Sequence, residues 1–183
     1  MLNKILFAGP VGAGKTTAIA SVSDTRVVKT DAMATDDVRE RKNRTTVAMD
    51  YGTLKVDSEL TIQLIGTPGQ DRFDFMWEIL AMGAIGVVLL IDNARPDPLD
   101  DLEFYLQSFD PLLARRGGKG VVGVTRRDLQ ATPTMADYRD RMKSLGYRWP
   151  AFELDARVRV DVKVALMALV AELNPHPKRR RAA

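Results

Sequence analysis

The 183-residue chain has no cysteine, a single histidine and no apolar run of the length that crosses a membrane. The absence of cysteine excludes disulfides, thiolate metal sites and lipid attachment through cysteine. The N-terminus enters an apolar segment with only Lys4 as a charge, which does not fit a signal peptide. We therefore expect a cytoplasmic protein. The lone histidine, His176, lies close to the C-terminus and is not expected to be catalytic.

The excess of positive charge is concentrated near the C-terminus. The net charge is +3, and Lys178–Arg181 contribute four positive charges, so the rest of the chain carries 3 − 4 = −1. Length and composition predict one folded domain, residues 1–173, followed by a basic tail, residues 174–183, which is expected to be disordered. The tail is expected either to contact an anionic membrane or to remain solvated. No specific nucleic-acid binding is expected.

Short apolar runs alternate with segments of helical spacing. The apolar runs predict six strands, at 2–8, 46–56, 59–65, 85–91, 120–124 and 149–154. Helical patterns start at residue 14 and cover 73–82, 98–115, 134–145 and 161–173. This alternation predicts an α/β fold, with a doubly wound, mostly parallel six-stranded sheet and helices on both faces. A turn at Asp57-Ser58 predicts that one edge strand is antiparallel. The polar segment Ser23–Thr45 is predicted to be a long loop.

The strongest local signal is the segment Gly9–Thr16, which fits G-x-x-x-x-G-K-[ST]. It follows an apolar strand and precedes a helix, the context in which this loop holds phosphates. Its glycines let backbone N–H groups point at phosphate oxygens. Lys15 supplies a charge for the β- and γ-phosphates, and the Thr16 hydroxyl is a ligand for Mg²⁺. The sequence therefore predicts a site for a nucleoside triphosphate.

A second glycine-containing segment, residues 65–70, ends a predicted strand. The Gly69 N–H is placed to reach a γ-phosphate, and the Gln70 amide offers the donor and acceptor that orient a water molecule.

Two later strands end in residues suited to a purine base. Asp128 follows the strand at 120–124, and its carboxylate can accept two N–H groups of guanine that adenine does not offer together. Ala156 follows the last strand and is small enough for a backbone N–H to approach the base.

As an ordered set, these segments resemble the small Ras-like P-loop GTPases over roughly residues 1–173. Thr67-Pro68-Gly69-Gln70 is most similar to the prokaryotic MglA-type gliding-motility GTPases. The resemblance implies a molecular switch that binds GTP or GDP with Mg²⁺, hydrolyses GTP slowly, and is read at Ser23–Thr46 and Thr67–Met82. It also implies a Roadblock-type GAP or effector as partner.

The motifs and the resemblance together define the candidate site residues. Catalytic roles fall on Gln70, Lys15 and Arg44, and metal ligation falls on Thr16 and Thr46. The implied nucleotide-binding residues are Gly9, Gly12, Ala13, Gly14, Lys15, Thr16, Thr17, Gly69, Thr125, Arg126, Asp128, Asp155 and Ala156.

Three positions depart from the family pattern. Gly66 stands where the family usually has an Asp that steadies a Mg²⁺-bound water. Thr45 stands where MglA-type proteins have an arginine acting in cis, and Arg44 lies one residue earlier. Arg126 replaces the lysine of the base-binding box.

Other readings remain open. Gly66 and the missing arginine before Thr46 favour a nucleotide-binding scaffold that does not hydrolyse its nucleotide. The apolar run ending at Asp92 is typical of a Walker B strand and hence of an ATPase, although Asn93 replaces the glutamate of motor-type ATPases. A P-loop kinase of small molecules would need an arginine-rich lid, for which Arg126-Arg127 is the candidate.

Overall fold

The computed structural model describes residues 3–33, 46–70, 74–114 and 117–173, with backbone placement alone at 29–33, 46–48 and 74. Strands and helices alternate along these residues. The strands are β1 (Asn3–Ala8), β2 (Val28–Met33), β3 (Thr46–Lys55), β4 (Thr61–Gly66), β5 (Ala84–Asp92), β6 (Lys119–Thr125) and β7 (Ala151–Glu153). The helices are α1 (Lys15–Val22), α2 (Asp74–Ala81), α3 (Pro98–Ala114), α4 (Met135–Ser144) and α5 (Arg159–Leu173).

The described strands form one sheet in the order β2-β3-β4-β1-β5-β6-β7. Strand β3 runs antiparallel to both of its neighbours, and the other pairs are parallel. The expected mostly parallel α/β sheet is therefore present, with one strand more than the six predicted. The additional strand, β2, lies within the stretch expected to be a loop. It pairs outside β3, so the antiparallel strand is second from the edge.

The central strands β1, β5 and β6 are buried on both faces, which explains their continuous apolar runs. In β1, Leu6 and Ala8 face a cluster built with α2, α3 and α4, whereas Ile5 and Phe7 face a cluster built with α1 and α5. Successive side chains of a strand point to opposite faces, so a strand between two helical layers has no polar side to show.

The helices follow the predicted periodicity. In α3, Leu102, Leu106, Phe109 and Leu113 are at most 1% exposed, and their spacing of three or four residues places them on one face. Among the described residues, no helix is long and apolar enough to cross a membrane.

Strand β1 lies at the point where the chain order reverses, because β4 flanks it on one side and β5 on the other. In open α/β sheets, ligands bind at the carboxyl ends of the strands beside such a point. The loops that follow β1, β4, β5, β6 and β7 all leave this edge, and they carry the segments predicted to bind phosphate and base.

Candidate nucleotide-binding site

The loop between β1 and α1 depends on glycine. Gly9, Gly12 and Gly14 have φ values of 139°, 84° and 96°, a region that other residues rarely adopt. A Cβ on Gly9 would lie 2.0 Å from the carbonyl oxygen of Leu90 on β5. Gly14 precedes α1 and provides no side-chain cap, so the first-turn N–H groups are left for an anion to bind.

The Lys15 side chain is folded back over this loop. Its Nζ donates to the carbonyl oxygens of Gly9 and Pro10, both at 2.7 Å, and the residue is only 9% exposed. Burial lowers the pKa of Lys15 to about 8; the nearby Asp50 carboxylate acts against this effect and the Arg95 guanidinium adds to it. An ammonium held under these conditions is stabilised when phosphate oxygens reach it.

The segment after β4 packs directly on the phosphate loop. A Cβ on Gly69 would lie 2.6 Å from Lys15 Nζ and 2.7 Å from the Val11 backbone nitrogen. From the other side, the buried Trp77 indole N–H donates to the Pro68 carbonyl at 3.2 Å. The Gly69 N–H therefore belongs to a segment held at the phosphate end of the site.

Gln70 lies at the rim of a cleft of about 740 Å³ between the phosphate loop, the segment after β4 and the start of α3. Its side chain is exposed. The Tyr105 hydroxyl donates to the Gly69 carbonyl at 3.3 Å, and Arg95 in the same cleft is paired with Asp101 at 2.5 Å. The cleft thus brings an amide and a guanidinium to the phosphate end.

The Thr16 hydroxyl donates a hydrogen bond to the Asp50 carboxylate on β3. Asp50 stands in register with Gly66 on β4, and a Cβ on Gly66 would lie 3.1 Å from both Asp50 Cβ and Asp50 Oδ2. A hydroxyl and a carboxylate oxygen at the start of α1 are the hard oxygen ligands that Mg²⁺ prefers. The residues present therefore fit a magnesium ion beside the phosphate loop.

The base end of the site is a separate cavity of about 370 Å³. The Thr125 hydroxyl is buried and donates to the Ala13 carbonyl at 3.1 Å, which ties the end of β6 to the phosphate loop. Nine of the predicted nucleotide-binding residues line this cavity: Gly12, Ala13, Gly14, Thr17, Thr125, Arg126, Asp128, Asp155 and Ala156.

Arg126 has a positive φ of 56°, and its guanidinium pairs with Asp92 at 3.0 Å. Asp92 is 3% exposed and also accepts from the Ala94 backbone N–H at 2.9 Å. The carboxylate at the end of β5 is therefore committed to an ion pair and a turn. The Walker B interpretation of this strand has no support from this arrangement.

Asp128 is linked to the last loop through Arg157. The Arg157 guanidinium lies 3.2 Å from Asp128 Oδ2 and 2.7 Å from Asp155 Oδ2, and the hydrogen bonds from Arg157 hold the pKa of Asp155 below its usual value. Ala156 packs beside the phosphate loop: a Cβ built on Gly14 would lie 2.9 Å from the Ala156 Cβ.

The remaining predicted residues lie at the phosphate end or outside the described part. Gly9, Lys15, Thr16 and Gly69 surround the phosphate loop, as given above. Arg44 and the basic tail, 174–183, lie outside the described residues, and so does the Thr46 side chain.

Two residues at the phosphate end escaped the sequence analysis. Asp50 and Arg95 lie near Lys15, and each affects its pKa. The sequence does contain a signal for Asp50. It is the lone carboxylate in the alternating strand that precedes the motif in which Gly66 stands in place of the usual Asp. Nothing comparable marks Arg95.

Comparison with known proteins agrees with this arrangement. A family model described as "Conserved hypothetical ATP binding protein" matches residues 7–174. The chain is 22% identical over 176 residues to the Ras-related protein Rab-8A of Pongo abelii, an alignment that covers 94% of this chain and 79% of that protein. The predicted fold class, that of a Ras-like P-loop NTPase, is confirmed, and nucleotide binding is supported.

Proposed function

The chain belongs to the family described as "Conserved hypothetical ATP binding protein", and within that family we propose that it is a cytoplasmic GTP-binding switch that hydrolyses GTP to GDP and phosphate. One observation carries this proposal: Asp128, Thr125 and Ala156 line a single cavity with the phosphate loop. A nucleotide whose phosphates lie along that loop would present its base to these three residues.

Asp128 is the residue that favours guanine. The two oxygens of a carboxylate accept the N1–H and N2–H groups of guanine side by side, whereas adenine offers no such pair. A bound base removes water from the carboxylate. A nucleotide such as ATP, which does not pair with that carboxylate, would therefore bind more weakly.

Binding of ATP is the second candidate, and a specific contact favours it. Arg157 already pairs with Asp128, so the carboxylate is compensated without a guanine. However, Arg157 has more contacts with Asp155, which accepts its Nε at 2.9 Å and its Nη2 at 2.7 Å. We propose that Arg157 stays on Asp155 and releases Asp128 when guanine binds.

Asp128→Asn tests the choice of base. The variant should weaken GTP binding and favour xanthosine triphosphate, whose additional carbonyl accepts from the asparagine amide. Competition of GTP, ATP and xanthosine triphosphate against a fluorescent GDP analogue measures the preference. Asp140→Asn, an exposed carboxylate on α4, is the matched control. A wild-type preference for ATP, or a variant that keeps its preference for GTP, would contradict the assignment.

Hydrolysis would be carried by the phosphate end. Lys15 neutralises charge on the β- and γ-phosphates, and Gln70 orients the water that attacks the γ-phosphate. By resemblance to the MglA-type proteins, Arg44 would act in cis on the charge that develops. The bound cation would neutralise phosphate charge, and Thr16 is the described residue that the motif assigns to it. Intrinsic turnover is expected to be slow, as it is for Ras without its partner at about 10⁻⁴ s⁻¹.

A non-hydrolysing scaffold is the competing outcome. Phosphate release from a single turnover separates the two, measured with the protein in excess over GTP and with a Roadblock-type protein present or absent. Release in either condition supports the switch. Bound GTP that stays intact in both conditions supports the scaffold.

We also propose that a Roadblock-type GAP or effector binds the segment Thr67–Met82 through α2. Phe75, Ile79 and Met82 are 55%, 57% and 55% exposed. Phe75 and Ile79 are four residues apart on one side of α2, and Met82 follows the last residue of the helix. The Trp77 indole N–H ties α2 to the Pro68 carbonyl, so the position of the helix would follow the nucleotide state. Ile79→Lys should abolish binding of the partner, whereas Val164→Lys on α5, which is also exposed, should not. Equal binding of both variants would remove α2 from the interface.

A further inference from the structure

We propose that Asp50, delivered by the antiparallel strand β3, is the carboxylate that acts with Thr16 on the divalent cation of the bound nucleotide. It would replace the carboxylate that Ras-like proteins carry at the position of Gly66. The inference rests on the proposed function only to the extent that a nucleoside triphosphate or diphosphate binds; it does not depend on which base is preferred.

The first observation is the hydrogen bond between the Thr16 hydroxyl and the Asp50 carboxylate. In P-loop proteins the cation is held by the Ser or Thr after the lysine together with an acidic residue. Thr16 is that residue here. The acidic group in contact with it comes from a strand 34 residues further along the chain.

The second observation is that Asp50 and Gly66 share one space. They are register partners on β3 and β4. A Cβ on Gly66 would lie 3.1 Å from Asp50 Cβ and Oδ2, and 3.2 Å from Ile19 Cδ1. A side chain at 66 would thus crowd the carboxylate that reaches Thr16. The loss of the expected Asp and the presence of Asp50 are two parts of one arrangement.

The third observation concerns the choice between Asp50, which contacts Thr16 at the phosphate end, and the acid at the end of β5. The acid at the end of β5, Asp92, is already paired with Arg126 at 3.0 Å. Of the two, Asp50 is the one placed to meet a cation there.

The test compares nucleotide affinity with and without the cation. The full chain and Asp50→Asn are titrated with a fluorescent GDP analogue, first in excess EDTA and then across a range of Mg²⁺ concentrations. Loss of a supporting carboxylate typically lowers metal affinity by about 10–100-fold. We expect the Mg²⁺ midpoint to rise by at least 10-fold in the variant, while its affinity in EDTA stays unchanged or increases, because a negative charge near the phosphates is gone.

Two further variants protect the test against a folding defect. Asp50→Gly alone should raise the Mg²⁺ midpoint as Asp50→Asn does. The double variant Asp50→Gly/Gly66→Asp moves the carboxylate to the adjacent strand and should bring the midpoint part of the way back to the wild-type value. Asp140→Asn is the control for removal of a carboxylate, and thermal unfolding without nucleotide verifies that each variant is folded.

The outcomes separate this inference from the proposed function. An unchanged Mg²⁺ midpoint in Asp50→Asn, or an affinity that falls equally in EDTA and Mg²⁺, overturns the inference and leaves Asp50 as a structural partner of Thr16. If the wild type prefers ATP and the Mg²⁺ midpoint still rises in Asp50→Asn, the choice of guanine is overturned and the inference is supported. A wild type that binds no nucleotide in either condition overturns both.

Discussion

Replacing Lys15 by methionine removes the ammonium while keeping most of the apolar chain. In the folded protein without nucleotide, burial lowers the Lys15 pKa from the unperturbed value of 10.5 to about 8. In the unfolded chain the side chain is solvated and keeps the higher value. Folding therefore forces a charged group into a site that disfavours its charge.

The size of this effect follows from the two pKa values. They differ by about 2.5 units (10.5 − 8), and each unit corresponds to roughly 1.4 kcal/mol. Below about pH 8 the lysine is charged in both states, so the whole penalty, roughly 3–4 kcal/mol, is present. Between the two pKa values the unfolded chain binds a proton that the folded chain does not, so the wild type gains stability as pH rises.

Urea unfolding of wild type and Lys15→Met without nucleotide, at several values between about pH 7 and 10, measures this gain. The methionine also removes the donor to the Gly9 and Pro10 carbonyls, which lowers stability at every pH. The useful quantity is therefore the change with pH of the difference between the two proteins. Between about pH 7 and 10, we expect the free energy of unfolding of the wild type to increase by about 2–3 kcal/mol relative to that of the variant. A difference that stays flat would refute the burial of the charge.

Nucleotide should reverse the situation, because phosphate oxygens raise the pKa of Lys15. Wild-type affinity is then expected to weaken above about pH 8 with uptake of a proton on binding. Calorimetry in buffers of different ionisation enthalpy measures that uptake. Lys15→Met should bind weakly and without this dependence, and equal affinity of the two proteins would exclude Lys15 from the phosphate site.

Three further changes test other parts of the site. Gln70→Leu should leave GTP affinity within a few-fold and slow single-turnover hydrolysis with a Roadblock-type partner by at least ~10-fold, about 1.4 kcal/mol in the barrier; equal rates would exclude Gln70. Gly9→Ala should destabilise the protein by more than about 3 kcal/mol in urea unfolding, because its Cβ meets a β5 carbonyl, whereas Gly83→Ala, which has a positive φ of 77° but no neighbour within 4 Å, should cost about 1–2 kcal/mol. Arg157→Gln frees Asp128 and should raise GTP affinity over ATP by about 2–5-fold in competition binding; a lower preference would mean that Arg157 supports the base.

The phosphate loop could be predicted from sequence because it is local. Residues 9–16 are consecutive, and the cradle is made by their own backbone, so the identity of three glycines and a lysine is enough to specify it. The helices were predictable for a related reason: one face of α3 is buried, and a period of 3.6 residues marks it in the sequence.

Strand β2 could not be found in this way. Its residues, Val28–Met33, have three polar side chains in succession, Lys29–Asp31, and therefore lack a strand-like alternation. The strand exists because its backbone pairs with β3 along the sheet edge, and backbone hydrogen bonds do not depend on the side chain. From sequence, a loop is therefore predicted over the 23 residues Ser23–Thr45, which contain this strand.

The base end was predictable as a set of motifs, but not in its pairing. The sequence placed Asp128 after one strand and Asp155 after the next, and the order of parallel strands brings both to one edge. That Arg157 bridges them, at 3.2 Å and 2.7 Å, depends on the spacing and rotation of two loops.

The sequence by itself determined the nucleotide loop, the α/β class and the residues offered to phosphate and base. The tertiary structure alone decided that Asp50 lies against Thr16 and fills the space left by Gly66. That contact depends on the register of β3 against β4, and a shift of one residue would send the carboxylate to the opposite face of the sheet. Residue type specifies what a side chain can bind, but strand register decides which side chains meet.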